Sequence, residues 1–178
     1  MVYTVNGKVI KAELLFDETA PSGGQANFDF QSIPSSYNHL QVTLHGKTEK
    51  VATDSDSIYC NVNNDTTDAN YVYAYHVAGG TAGGTHVAAN GANRTAMELG
   101  SSKTAVNIGE GVMFVLGYTS PFYKMIRSAY GVNFGGLYYT VELVNFWLNV
   151  AIVNRLTFVP VSGNDFAENS RCSIYGFR

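Results

Sequence analysis

Histidines, cysteines and a run of aspartates are the residues in this 178-residue chain whose side chains could do chemistry. His39 and His45 fall on one face of an alternating stretch, but six residues of extended chain hold them roughly 20 Å apart. They cannot share an ion unless a third element brings them together, and His76 and His86 flank a glycine-rich stretch elsewhere. All four read as surface or hydrogen-bonded histidines rather than ligands. Asp54, Asp56, Asp65 and Asp68, with Asn61, Asn63 and Asn64, form an oxygen-rich region of the kind Ca²⁺ favours. Their spacing matches no calcium loop, and strand turns use the same residue types. Cys60 and Cys172 each lie within an alternating apolar pattern, so they read as small core residues, with one disulfide as the upper bound.

A hydrolase needs a nucleophile beside a base, or paired carboxylates. The chain has no Gly-x-Ser-x-Gly, and its glutamates are dispersed. Ala78-Gly79-Gly80-Thr81, repeated at once as Ala82-Gly83-Gly84-Thr85, lacks the Gly-x-Gly-x-x-Gly order and the Gly-Lys-Ser/Thr of a phosphate cradle. The expectation is a protein that is not an enzyme and carries no cofactor or metal. Tyr71, Tyr73 and Tyr75 share one side of an alternating stretch and could stack on sugar rings. They suit cross-strand pairing or a subunit interface better, since tyrosine is enriched in both.

The elements that would position these groups are strands. Val2–Val5, Asn6-Gly7 and Lys8–Ile10 carry the signature of a hairpin with a type I′ turn. Ile10, Ala12, Leu14 and Phe16 then alternate, Pro21–Gly24 breaks the chain, and Phe28 with Phe30 resumes it. Leu40, Val42 and Leu44 face one way, while Tyr37, His39, Gln41, Thr43 and His45 face the other, as in a half-buried antiparallel strand. Ile58, Cys60 and Val62 form the next inward set. The stretch Ala78–Asn93 reads as a long loop suited to contacts. Further strands are expected over Ala105–Ile108, Val112–Tyr118, Tyr123–Tyr130, Leu137–Asn149 and Ala151–Val159. The end of the chain reads as two core strands around a Ser162-Gly163-Asn164-Asp165 turn anchored by Phe166. No segment shows capped 3.6-residue periodicity. The pattern predicts one all-β domain over residues 1–178: an antiparallel, jelly-roll-like β-sandwich of about eight to ten strands.

Composition points to contacts between subunits. Charged residues make up 14 % of the chain, against an average of about 25 %, while Gly (18), Tyr (12) and Phe (10) are abundant. A net charge of −3 with scattered Lys and Arg argues against nucleic acid as a partner. No window has the length and apolarity of a membrane span, and the N-terminus lacks a signal segment, so a soluble protein is expected.

Three groups of residues carry a resemblance. Ile33-Pro34-Ser35-Ser36-Tyr37-Asn38-His39-Leu40 opens a strand. Tyr59-Cys60-Asn61-Val62-Asn63-Asn64-Asp65 runs into a turn followed by Asn70-Tyr71. Ser170-Arg171-Cys172-Ser173-Ile174-Tyr175-Gly176 closes the chain after Ile152–Phe158, Pro160 and Ser162–Phe166. From about Phe28 onward the chain resembles small β-sandwich virion proteins of tailed bacteriophages, whose pattern runs from Ile-Pro-x-x-Tyr-x-His-Leu to Ser-x-x-Ser-Leu-Tyr-Gly. It departs at Asn64, where Gly is usual, at Cys172, where a larger apolar residue is common, and at Ile174 in the Leu position.

The resemblance implies a virion building block without catalysis. The expected role is a capsid decoration or cement protein on the outer shell, a homotrimer bridging copies of the major capsid protein. The alternative is a tail-fibre or receptor-binding tip that recognises a host-surface glycan or protein. Two stretches lie outside the resemblance, the hairpin (Tyr3, Asn6, Gly7, Lys8) and the glycine-rich loop (Gly79, Gly80, Gly83, Gly84, His86). With Tyr71, Tyr73 and Tyr75, they are the expected interface residues.

Overall fold

The computed structural model describes the backbone of residues 2–5, 8–79, 85–91, 93–103, 108–134 and 137–178. It describes the side chains of residues 11–79, 93–103, 108–133 and 138–178. The chain is an all-β sandwich. Its strands in order are β1 (Val2–Val5), β2 (Lys8–Thr19), β3 (Phe28–Gln31), β4 (His39–Thr48), β5 (Ser55–Val62), β6 (Tyr71–Gly79), β7 (Thr85–Gly91), β8 (Thr95–Ser101), β9 (Gly109–Leu116), β10 (Lys124–Phe134), β11 (Leu137–Trp147), β12 (Arg155–Pro160) and β13 (Arg171–Phe177). Among the described residues the one helical element is the 3₁₀ turn Asp68–Asn70.

The larger sheet runs β2-β13-β4-β9-β10-β11-β6-β7, and the smaller runs β3-β12-β5-β8. Pairing is antiparallel throughout except where the end of β4 crosses over to lie parallel to β8, Lys47 opposite Gly100 and Thr48 opposite Ser101. The inner faces follow the two-residue period of a strand. On β4, Leu40, Val42 and Leu44 are fully buried; on β5, Ile58, Cys60 and Val62; on β9, Met113 and Val115. Both cysteines are free and buried in this core, where burial pushes the Cys60 thiol up to about 12, so neither is a nucleophile at neutral pH.

The described residues hold thirteen strands against the expected eight to ten, two of them where none was expected. β8 occupies Thr95–Ser101, a stretch whose Ala-Met-Glu-Leu core favours helix in isolation. Tertiary packing overrides that preference. β7 occupies Thr85–Gly91, inside the stretch read as a loop over Ala78–Asn93. It pairs with β6 through main-chain bonds, which its small Ala, Asn and Gly residues do not announce. The hairpin strand and the alternating stretch after it are one continuous β2. Its residues 8–11 pair with β1 and residues 12–19 with β13, so the hairpin extends beyond the part of β2 held in the sheet. Asn6 and Gly7 themselves lie outside the described residues, as do most of the strand expected at Ala105–Ile108. The strand after them starts at Gly109.

The last two strands lie in opposite sheets, so the connection 161–170 spans the sandwich. Phe166 is fully buried against Phe28, ring centroids 4.6 Å apart, and its backbone bridges to Gln25 and Thr48. Each of these strands carries the same polar clamp. Arg155 donates two 2.7 Å hydrogen bonds to the Asp29 carboxylate, and Thr157 adds one of 2.8 Å. Arg171 donates bonds of 2.7 and 2.5 Å to Asp17, and Ser173 adds one of 2.7 Å. An Arg-x-Ser/Thr on one strand thus faces an Asp on its neighbour, and the Arg171 bonds hold the Asp17 carboxyl down to about 2.

The opening and closing motifs meet in space. Leu40 lies opposite Gly176, the Asn38 N–H donates to the Phe177 carbonyl at 2.7 Å, and the buried Tyr37 ring lies over Gly176. A Cβ at Gly176 would sit 2.6–2.8 Å from three atoms of that ring. Gly176→Ala is therefore expected to destabilise the fold by about 2 kcal/mol, read as a lower urea midpoint at unchanged slope. An unaltered midpoint would show that Tyr37 moves aside freely. The middle motif also has a local cause. Asn63 and Asn64 have φ of +50° and +62°, a left-handed turn that Gly or Asn tolerates best.

Candidate functional site

β6 brings Tyr71, Tyr73 and Tyr75 to one face, but the smaller sheet covers only part of it. Tyr71 is 1 % exposed, its hydroxyl accepting from the Val62 N–H and donating to the Asp65 carbonyl, 3.0 Å each. It is a core residue, which corrects the expectation of an interface role: the stripe dives under β5 at that end. Tyr73 and Tyr75 stand beyond the cover, rings 5.9 Å apart and 8° from parallel. With Tyr130, Tyr139, Val132 and Leu143 they line a cleft of about 450 Å³, closed on the smaller-sheet side by Ser57, Asn93, Thr95 and Glu98. Ser57 donates to Glu98 at 3.1 Å. Burial pushes the Glu98 carboxyl above its usual range, against the Ser57 bond and the charge of Lys50.

The other expected residues fall in less informative places. Gly79 ends β6 at φ +135°. Tyr3, Lys8 and His86 lie on β1, β2 and β7 at positions where only the backbone is described. Gly80, Gly83 and Gly84 lie outside the described residues. His39 and His45 stay apart, His39 Nδ1 accepting from the Gly117 N–H at 3.0 Å and His45 Nδ1 lying 4.0 Å from Glu110, while His76 lies opposite His86 in the β6–β7 pairing. The aspartates each have their own partner. Asp54 faces Lys103, Asp56 accepts from Thr48 and Ser162, Asp65 from Trp147, and Asp68 from Arg94. Among the described residues no His, Cys, Asp or Glu group has the arrangement of a metal site.

A second surface, absent from the sequence reading, forms at one end of the larger sheet. Two loops meet there, residues 117–123 between β9 and β10 and residues 148–154 between β11 and β12. They are joined by Lys124, whose fully buried ammonium donates to the carbonyls of Ser120, Phe122 (2.7 Å) and Val150 (3.3 Å). The Val153 N–H adds a bond to the Tyr118 carbonyl, and the Leu148 N–H one to Asn70, both from the second loop. The pinned loops hold apolar side chains outward: Phe122 is 71 % exposed, Tyr123 58 %, Val150 55 % and Ile152 49 %. Leu148 is exposed beside them, and so are Phe146 and Val72, which face each other across β11 and β6. A concentration of large apolar groups on a rigid rim marks an interaction surface. In the sequence, Pro121-Phe122 stands just before the strand expected over Tyr123–Tyr130, and Phe122 is the large apolar residue that this strand leaves out.

No family model matches this chain, and no curated protein does. Among solved structures, a product complex of a family 7 alginate lyase variant aligns with 90 % of this chain and 80 % of its own, at 10 % identity. The TM-score of 0.16 is too low to bear on fold or activity.

Proposed function

We propose that the chain is a structural protein of a tailed-bacteriophage particle, a capsid decoration protein that docks as a homotrimer on the outer shell. The observation that carries this reading is the apolar end built from Phe122, Tyr123, Leu148, Val150 and Ile152. A rim of large apolar side chains pinned by a buried ammonium is preorganised, so docking orders little that was free beforehand. Its expected partner is the major capsid protein at a junction between subunits, where burial of order 1,000 Å² per contact gives stable attachment. The low charge and the extended β1–β2 hairpin support the same reading, the hairpin as an arm toward a neighbouring copy.

The test uses particles of the phage that encodes the chain. Protein gels should show it at a copy number approaching that of the shell subunit, and light scattering of the isolated protein should give a trimer. The double variant Phe122→Ser/Ile152→Ser should fold normally yet fail to sediment with particles stripped of the protein. Losing two central apolar anchors costs an interface about 2–4 kcal/mol, or thirtyfold and more in affinity. A handful of copies per particle, or full binding by the double variant, would overturn the assignment.

A further inference from the structure

We infer that the tyrosine cleft beyond the edge of the smaller sheet is a binding site for a neutral saccharide of two or three units. The inference rests on the cleft alone and is independent of shell docking. Its walls offer parallel aromatic rings at Tyr73 and Tyr75, with Tyr130 and Tyr139 across the larger sheet. Its rim offers the hydroxyls of Ser57 and Thr95, the amide of Asn93 and the carboxyl of Glu98. The lining therefore pairs apolar faces with groups that mostly both donate and accept hydrogen bonds. That is the complement of a sugar ring, with C–H faces on two sides and hydroxyls around the edge.

Other ligand chemistries fit less well. Among the described residues no Lys or Arg lines the cleft, and Glu98 sits on its rim, so a phosphate or a uronic acid would meet a carboxyl with no cation in the lining to pair with. A purely apolar ligand would strand the carboxyl, the amide and the rim hydroxyls without water. A quaternary ammonium is held by rings turned toward one centre, whereas Tyr73 and Tyr75 are within 8° of parallel. The volume of about 450 Å³ is within the range of small-molecule sites and well above what one methylated ammonium group fills. The cleft is also held open. Asn145, buried beneath it, donates to the Thr95 carbonyl at 2.5 Å and so ties β11 to β8, while Ser57 fixes Glu98 from β5.

The experiment is saturation-transfer NMR on the full chain with maltotriose, cellotriose and chitotriose, and with trigalacturonate and tetramethylammonium as competing chemistries. At least one neutral trisaccharide should receive magnetisation, strongest at its ring C–H protons. Tyr75→Ala should weaken that binding about tenfold, the loss expected of one aromatic contact. Tyr75→Phe keeps the ring, should bind within a few-fold of wild type, and guards against a folding artefact. Glu98→Gln tests the rim separately and should weaken binding several-fold. The inference is overturned if no neutral trisaccharide binds the folded wild type at millimolar concentration. It is equally overturned if tetramethylammonium or trigalacturonate binds in preference, or if Tyr75→Ala and Glu98→Gln both bind like wild type.

Discussion

Replacing Lys124 with methionine is expected to destabilise the fold by about 3–5 kcal/mol and to weaken docking even in molecules that remain folded. The lysine is fully buried, and its ammonium serves three carbonyl oxygens from two separate loops, those of Ser120, Phe122 and Val150. Burial alone drags its pKa down, a cost that these three acceptors offset. Methionine keeps an unbranched side chain one atom shorter and has none of its donors. Three carbonyls would then face one another in a site closed to water, each unsatisfied acceptor costing about 1–3 kcal/mol with incomplete additivity. The repulsion would spread the two loops, and Phe122 and Val150 would lose the positions that make the apolar end a single surface. Urea unfolding measures the first effect, and sedimentation with stripped particles, under conditions where both proteins are folded, measures the second. A methionine variant with the wild-type midpoint would mean that the carbonyls find other donors, and the pinned-loop account would fail.

Lys124 also shows what a strand pattern reveals and where it stops. Period two along β10 places Lys124 in the same inward set as Ile126, Ser128 and Tyr130, so a lysine on the core side was legible in principle. Nothing in the sequence says which carbonyls it would find, because two loops supply them from 4 and 26 residues away. The β6 stripe has the same limit. Alternation puts Tyr71, Tyr73 and Tyr75 on one face, but only the extent of the smaller sheet decides that the first is core and the others line a cleft. Inner strands such as β4 and β5 were plain because apolar residues, mostly branched aliphatic ones, alternate there. β8 was not, and with it went Glu98 and Thr95, two of the groups that define the cleft.

Asp65→Ala is expected to cost about 3 kcal/mol, with the fluorescence of the one tryptophan reporting the loss at its source. Asp65 accepts from the Trp147 indole at 2.8 Å, the Asn70 amide at 2.8 Å and the Thr67 N–H at 3.0 Å. Its carbonyl takes the Tyr71 hydroxyl, and Tyr71 and Trp147 lie opposite each other on β6 and β11. One turn residue therefore ties the end of β5 to the start of β6 and the end of β11. Alanine leaves the indole N–H of a residue 1 % exposed without its acceptor, and bonds to a charged group are worth about 1.5–3 kcal/mol. Asp65→Asn keeps one acceptor oxygen and should lose about half as much. The effect depends on pH. Burial pushes the Asp65 carboxyl up, but the bonds from Trp147, Thr67 and Asn70 outweigh it and hold the folded pKa below the ordinary 3.8. A carboxyl with a depressed folded pKa stabilises the fold fully above the unfolded value and loses that contribution as pH falls through the folded one. The gap between wild type and Asp65→Asn should therefore be constant from neutral pH down to about 5 and close progressively below 3.8. A gap that persists undiminished in acid would mean that the carboxylate's charge contributes nothing, and that the turn is held by shape alone.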